Sequence, residues 1–104
     1  MAYGWIITKD HLAESMNDEY GNDTGVCGPR DITPEIETAL KAGKGHTFYM
    51  YDDDGEKYYT GKMLATGEDV DSEEAISSPL DNFGMPNAGC TLIKYHGKPE
   101  WAIG

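Results

Sequence analysis

The chain has 104 residues and a formal net charge of −11, from nineteen acidic and eight basic side chains. A field of this sign opposes nucleic acids and anionic membrane surfaces, and no apolar run is long enough to cross a bilayer, so the composition argues against direct binding to either. With 38% hydrophobic residues, seven Tyr, two Trp and two Phe, the chain can still build a modest core. This length favours a single domain over residues 1–104.

The first predicted elements are a strand, a long loop and a short helix. The apolar and β-branched run from Tyr3 to Thr8 predicts the strand. Residues 9–30 are rich in Gly and Asn and predict a long loop, with a short turn near its start. Thr33 and Pro34 then mark a helix N-terminus, and the helix should run for about ten residues to Lys41.

The middle of the chain predicts a β-hairpin. Two strand-like runs, His46 to Tyr51 and Glu56 to Leu64, are joined by Asp52-Asp53-Asp54-Gly55, and an Asp-Gly pair between such runs is typical of a hairpin turn. Alternation along the two strands should bury one face and leave the other aromatic and partly wet. The tyrosines predicted for that wet face are Tyr49, Tyr51 and Tyr58.

The last third of the chain predicts an acidic connector at Thr66 to Glu74, one helical turn at Ser78 to Gly84, and strands at Cys90 to Tyr95 and Glu100 to Ile103. Strands and helices do not alternate regularly. The predicted fold class is therefore α+β, a small and mainly antiparallel sheet with one or two short helices. The apolar positions of these elements predict a core that contains Ile6, Ile36, Leu40, Phe48, Met63 and Ile93.

No metal, cofactor or catalytic residue is predicted. The run Asp52 to Glu56 offers carboxylates to calcium, but Lys57 occupies the glycine position of an EF-hand loop. The cysteines and histidines lack the paired spacing of zinc ligands. Lys41 and Lys44 are more simply a helix end than an anion site. Without an export signal, Cys27 and Cys90 are expected to be reduced thiols in a cytoplasmic protein.

Two segments carry a resemblance to other proteins. YMYDDDGEKYYTGK (Tyr49 to Lys62) and PLDNFGMPNAGCTLIKY (Pro79 to Tyr95) resemble a group of small acidic proteins of unknown role from actinobacteria and their phages and plasmids. The resemblance covers about half of the chain. It implies a mobile-element product, and small acidic proteins of such elements often inhibit host proteins, but it carries over no functional residue.

Two functions follow as hypotheses, with solubility as a third explanation of the acidity. The first is a non-catalytic protein whose acidic surface docks on a basic host protein, for example one that binds nucleic acid, in the manner of an anti-CRISPR protein or a DNA mimic. The second is a small-ligand binder or small enzyme that uses the tyrosine face. The partner's identity and the oligomeric state stay open. The acidic residues predicted to bind the partner are Asp52, Asp53, Asp54, Glu56, Glu68, Asp69, Asp71, Glu73 and Glu74.

Overall fold

The computed structural model describes residues 2–15, 22–67 and 70–104. Within these ranges the strands are β1 (Ala2–Asp10), β2 (Cys27–Gly28), β3 (His46–Tyr51), β4 (Lys57–Thr66), β5 (Leu92–Tyr95) and β6 (Lys98–Ile103). The helices are α1 (His11–Ser15), α2 (Pro34–Lys41), α3 (Glu73–Pro79) and α4 (Met85–Ala88). A π-helical turn, Leu80–Gly84, connects α3 directly to α4.

The six strands form one antiparallel sheet in the order β2-β1-β4-β3-β5-β6. The predicted α+β class is therefore confirmed. The ten-residue strand β4 pairs with β1 on one side and with β3 on the other. In the described part of the chain, β2 and β6 are the outer strands.

Helices pack on both sides of the sheet. On one side, α3 and the π-helical turn cover the larger hydrophobic cluster, in which Phe48, Met50, Met63 and Ile93 are fully buried. On the other side, α2 places Ile36 and Leu40 against Ile6 of β1 in a second, smaller cluster. We call these sides the α3 side and the α2 side. All six residues predicted for the core are buried.

The predicted hairpin is confirmed at β3 and β4. The backbone N–H of Gly55 donates to the carbonyl of Asp52 at 3.1 Å, and the N–H of Asp52 donates to the carbonyl of Glu56 at 3.0 Å. Gly55 has a φ of +82°, as expected for the glycine of a three-residue hairpin loop. The carboxylate of Asp52 also accepts from the N–H groups of Asp54 and Glu56, at 2.9 and 2.8 Å.

Helix α2 begins where its sequence predicts. The hydroxyl of Thr33 accepts from the N–H of Ile36 at 3.3 Å, and Pro34 occupies the first helical position. The helix ends at Lys41, whose ammonium group pairs with Glu37 one turn earlier at 3.0 Å. Lys41 is thus engaged within its own helix, in agreement with a structural helix end.

The predicted loop at 9–30 is corrected within its described part. Strand β1 extends through Asp10, α1 follows immediately, and β2 adds a short pairing to Trp5 and Ile6. Asp10 organises this region, because its buried carboxylate accepts from the N–H of Ala13 at 3.0 Å and from the N–H of Asp23 at 2.9 Å. Residues 16–21 lie outside the described ranges.

The acidic connector at 66–74 is also corrected. Helix α3 begins at Glu73, since the hydroxyl of Ser72 caps it by accepting from the N–H of Ala75 at 3.1 Å. Glu73 and Glu74 occupy the first turn, where negative charge favours the helix dipole. The predicted single turn at Ser78 to Gly84 is the end of α3 together with the π-helical turn.

Candidate functional site

The two acidic runs predicted to form one surface leave β4 at opposite ends. The turn Asp52 to Glu56 precedes Lys57, whereas the segment that leads to α3 follows Thr66. A ten-residue strand separates its ends by about 30 Å, well beyond the screening length of about 8–10 Å at moderate salt. The structure therefore does not place the turn and Asp71 to Glu74 in one site. Glu68 and Asp69 lie outside the described residues.

The turn holds its four carboxylates in two different ways. Asp52 is tied to the backbone, and its hydrogen bond from the N–H of Glu56 is the main reason why its pKa lies below the ordinary value. Tyr58 also hydrogen-bonds Asp52, which raises the pKa of the tyrosine hydroxyl. The side chains of Asp53, Asp54 and Glu56 are exposed. Asp52 thus maintains the turn, while the other three face solvent.

Asp71 and Glu73 instead line a groove on the α3 side. The groove has a volume of about 400 Å³ and lies between the N-terminal part of α3 and β6. A third acidic residue, Glu100 of β6, also lines the groove. The complete lining consists of Asp71, Glu73, Ile76, Glu100, Trp101, Ala102 and Ile103. We call it the β6 groove.

Trp101 is the largest apolar side chain of the β6 groove, and its neighbours hold it in place. Its ring contacts the ring of His46 edge-on, with centroids 5.0 Å apart, and the ring of Tyr95, with centroids 5.3 Å apart. The ammonium group of Lys98 lies 5.1 Å from its centroid. Tyr95 is itself fixed, because its hydroxyl donates to the carbonyl of Ile76 at 2.8 Å. The indole is thus a pre-positioned, half-buried surface.

The groove also borders an edge of the sheet. Among the described strands β6 pairs only with β5, so its outer side carries backbone groups that can pair with an incoming segment. Lys98 and Pro99 occupy the first half of β6, and both residue types hinder edge-to-edge pairing. The second half, which includes Trp101 and Ile103, carries neither.

The predicted tyrosine face is confirmed for two of its three members. Tyr49 and Tyr51 lie on the α2 side of β3. Tyr58 does not join them, because Met50 pairs with Tyr59 whereas Tyr51 pairs with Lys57, which leaves Tyr58 as an extra residue in a bulge. Tyr58 packs against the larger cluster on the α3 side. The prediction from alternation is wrong at this residue.

Lysines accompany the two tyrosines instead. The ammonium group of Lys57 lies 4.5 Å from the ring centroid of Tyr49, and that of Lys94 lies 5.5 Å from the centroid of Tyr51. Burial is the main reason why the pKa of the Tyr51 hydroxyl is raised. The sequence did not predict a role for these lysines or for Glu100 and Trp101, because cross-strand register and long-range packing bring them to their sites.

The remaining candidate chemistries find little support in the geometry. Burial raises the pKa of the Cys90 thiol to about 12, so this thiol is unreactive near neutral pH. Cys27 is half-buried in β2. Over 2–15, 22–67 and 70–104, no three His, Cys, Asp or Glu side chains are grouped so that they could hold a metal ion. No helix within these ranges is both long and apolar enough to span a bilayer.

Comparisons of this chain with protein-family models, with curated proteins and with solved structures return no match.

Proposed function

We propose that this protein is a non-catalytic acidic binding protein that takes a basic segment of a partner protein into the β6 groove. The observation that carries the proposal is the composition of the groove, whose lining combines three acidic residues, Asp71, Glu73 and Glu100, with the apolar residues Trp101, Ile76 and Ile103. Such a lining complements a segment in which Lys or Arg alternates with an apolar residue. The net charge of −11 assists by attracting basic surfaces from a distance.

The partner we favour is a host protein whose basic surface handles nucleic acid, and the protein would act as its inhibitor. Two features support this partner class: the overall acidity, and the resemblance of Tyr49 to Lys62 and of Pro79 to Tyr95 to small acidic proteins of actinobacteria and their mobile elements. In this proposal the protein acts in the cytoplasm, where the free thiols Cys27 and Cys90 stay reduced.

Trp101 should dominate the energy of the complex. A large aromatic side chain at the centre of an interface typically costs about 2 kcal/mol or more of binding free energy when truncated to alanine. The carboxylates at the rim should each contribute less than about 1 kcal/mol, since they stay exposed to solvent. Together they should mainly accelerate association, with an effect that decreases as salt is added.

A pair of matched variants tests the proposal. The groove variant carries Asp71→Asn, Glu73→Gln and Glu100→Gln; the turn variant carries Asp53→Asn, Asp54→Asn and Glu56→Gln. Each removes three negative charges, so both change the net charge equally. The proteins are used as bait in an actinobacterial lysate, and the retained proteins are quantified. Purified partners are then measured for association rate at low and high salt.

We expect a partner that the wild type and the turn variant retain and that the groove variant and Trp101→Ala lose. Equal losses in both triple variants would show that net charge alone matters, and the groove assignment would then be wrong. If neither triple variant nor Trp101→Ala changes what is retained, the acidic-docking function itself is refuted.

A further inference from the structure

The α2 side of the sheet carries a second surface of opposite charge. On this side, lysines lie directly across from the two tyrosines of β3. Lys94 of β5 pairs with Tyr49, and Lys57 of β4 pairs with Tyr51. Lys62 of β4 lies opposite Thr47, one same-face pair beyond Thr60 and Tyr49. We call this surface the lysine–tyrosine face; it consists of Tyr49, Tyr51, Lys57, Lys62 and Lys94.

The three lysines of this face have no carboxylate partner among the described residues, although the chain contains nineteen acidic side chains. The ion pair found within those residues is Lys41 with Glu37, in α2. Lys57 and Lys94 lie over the rings of Tyr49 and Tyr51, at 4.5 and 5.5 Å from the centroids. Lys62 donates to the hydroxyl of Thr47 at 3.3 Å. Three positive charges are thus left for an anionic ligand.

The size of the face favours a small ligand over a protein. Three adjacent strands, β4, β3 and β5, span about 10 Å across, and the six residues of β3 span about 20 Å, so the area is about 200 Å². A stable protein interface buries about 800 Å² on each partner. Helix α2 packs over β1 and β4 on the same side and prevents the face from extending in that direction.

The charge of the surroundings limits how long the ligand can be. The exposed carboxylates of Asp53, Asp54 and Glu56 follow the end of β3, next to Tyr51 and Lys57. A nucleic-acid strand that ran along β3 would carry further phosphates past these carboxylates, where they would be repelled. A compact ligand with its phosphate on the lysines avoids this contact.

The chemistry of the face indicates which compact anion it fits. Lysine ammonium groups bind phosphate as point charges. A tyrosine ring offers a flat surface on which a nucleobase can stack, with little dependence on which base it is. Lys57 and Lys94 lie over the rings and are exposed. In the complex both ammonium groups would bind the phosphate and leave a ring free for the base. From this combination we propose that the lysine–tyrosine face binds a free mononucleotide, with its phosphate on the lysines and its base on Tyr49 or Tyr51.

The test is a titration of the ¹⁵N-labelled protein with adenosine monophosphate, followed by amide chemical shifts. The face variant carries Lys57→Gln and Lys94→Gln, and the ring variant carries Tyr49→Leu and Tyr51→Leu, so that both rings are removed. Lys44→Gln combined with Arg30→Gln is the matched control, because it removes the same charge outside the face. Thermal melting confirms that each variant is folded.

We expect chemical-shift changes centred on β3, β4 and β5, and an affinity about tenfold weaker in the face variant. The ring variant should also bind more weakly, whereas the control should keep an affinity within about twofold of wild type. Inorganic phosphate and adenosine are titrated as well, and both should bind more weakly than the nucleotide. Phosphate that binds as tightly as the nucleotide would overturn the role of the tyrosines. A short single-stranded oligonucleotide that binds more tightly than the mononucleotide would replace the free ligand with a nucleic acid. Shifts confined to other strands, or none, refute the site.

Discussion

Replacing Gly55 with valine tests the geometry of the turn between β3 and β4. The residue has a φ of +82°, and a Cβ added there would lie more than 4 Å from every atom outside its two chain neighbours. The main cost of the substitution is therefore conformational. An L-residue in the left-handed region lowers the free energy of unfolding by about 1–2 kcal/mol. Replacing glycine also restricts the unfolded chain, which raises the free energy of unfolding by about 0.4–1 kcal/mol.

The net expectation for Gly55→Val is a loss of about 1 kcal/mol in the free energy of unfolding. For a domain of this size, such a loss lowers the melting temperature by about 4–8 °C. Thermal denaturation followed by circular dichroism measures it, and urea denaturation gives the free energy directly.

Gly55→Asn is the matched control. Asparagine adopts left-handed backbone angles more readily than other residues with a side chain, so this variant should lose clearly less stability than the valine variant. An unchanged melting temperature in Gly55→Val would refute the turn geometry. Equal losses in the two variants would show that the positive φ is not the cause.

Two further predictions concern the same hairpin. Gly61→Ala should lower the free energy of unfolding by about 1–3 kcal/mol, as overpacking does. The added Cβ would meet the carbonyl of Ile6 in β1 and the ring of Phe48. A melting temperature equal to that of wild type would contradict the β1–β4 register. The lowered pKa of Asp52 means that its carboxylate contributes stability above its unfolded value of 3.8 and loses that contribution as the pH falls through the folded value. The stability advantage of wild type over Asp52→Asn should therefore shrink as the pH is lowered from 6 towards 3, and a difference independent of pH would contradict this assignment.

The parts of the fold that the sequence predicts well depend on neighbours along the chain. The cap of α2 needs only Thr33, Pro34 and the backbone N–H of Ile36. The hairpin needs only Asp54 and Gly55 between two runs of alternating polarity. Burial of Phe48 and Met63 follows from the same alternation. Each of these features involves residues fewer than about twenty positions apart.

The missed features depend on contacts that alternation does not encode. The bulge at Tyr58 moves one tyrosine to the other side of the sheet without any mark in the local pattern. The carboxylate of Asp10 accepts a hydrogen bond from the N–H of Asp23, and the sequence between these two residues predicts only a loop. The acidic residues around Ser72 predicted a connector, although Ser72 is the N-cap of α3. Ser72 followed by Glu73 and Glu74 is a pattern typical of a helix N-terminus and indicates this cap.

The site was the least predictable part, because it is assembled from distant segments. The β6 groove combines residues 71–76 with residues 100–103, and only the long-range fold brings them together. The density of acidic residues along the sequence favoured the run Asp52 to Asp54 as a binding site. In the structure the Asp52 carboxylate instead maintains the turn. The lysine–tyrosine face likewise depends on cross-strand register, which places Lys94 beside Tyr49 although 45 positions separate them.

The pairing of β1 with β4 also bears on the order in which the chain assembles. Residues paired between β1 and β4 are 49 to 64 positions apart, whereas those between β3 and β4 are 6 to 17 apart. Loop-closure entropy makes the longer connection costlier by about 1 kcal/mol. We therefore expect the β3–β4 hairpin to form first and β1 to dock later, so that one side of β4 is a transient open edge. During that interval newly made chains are most exposed to pairing with one another.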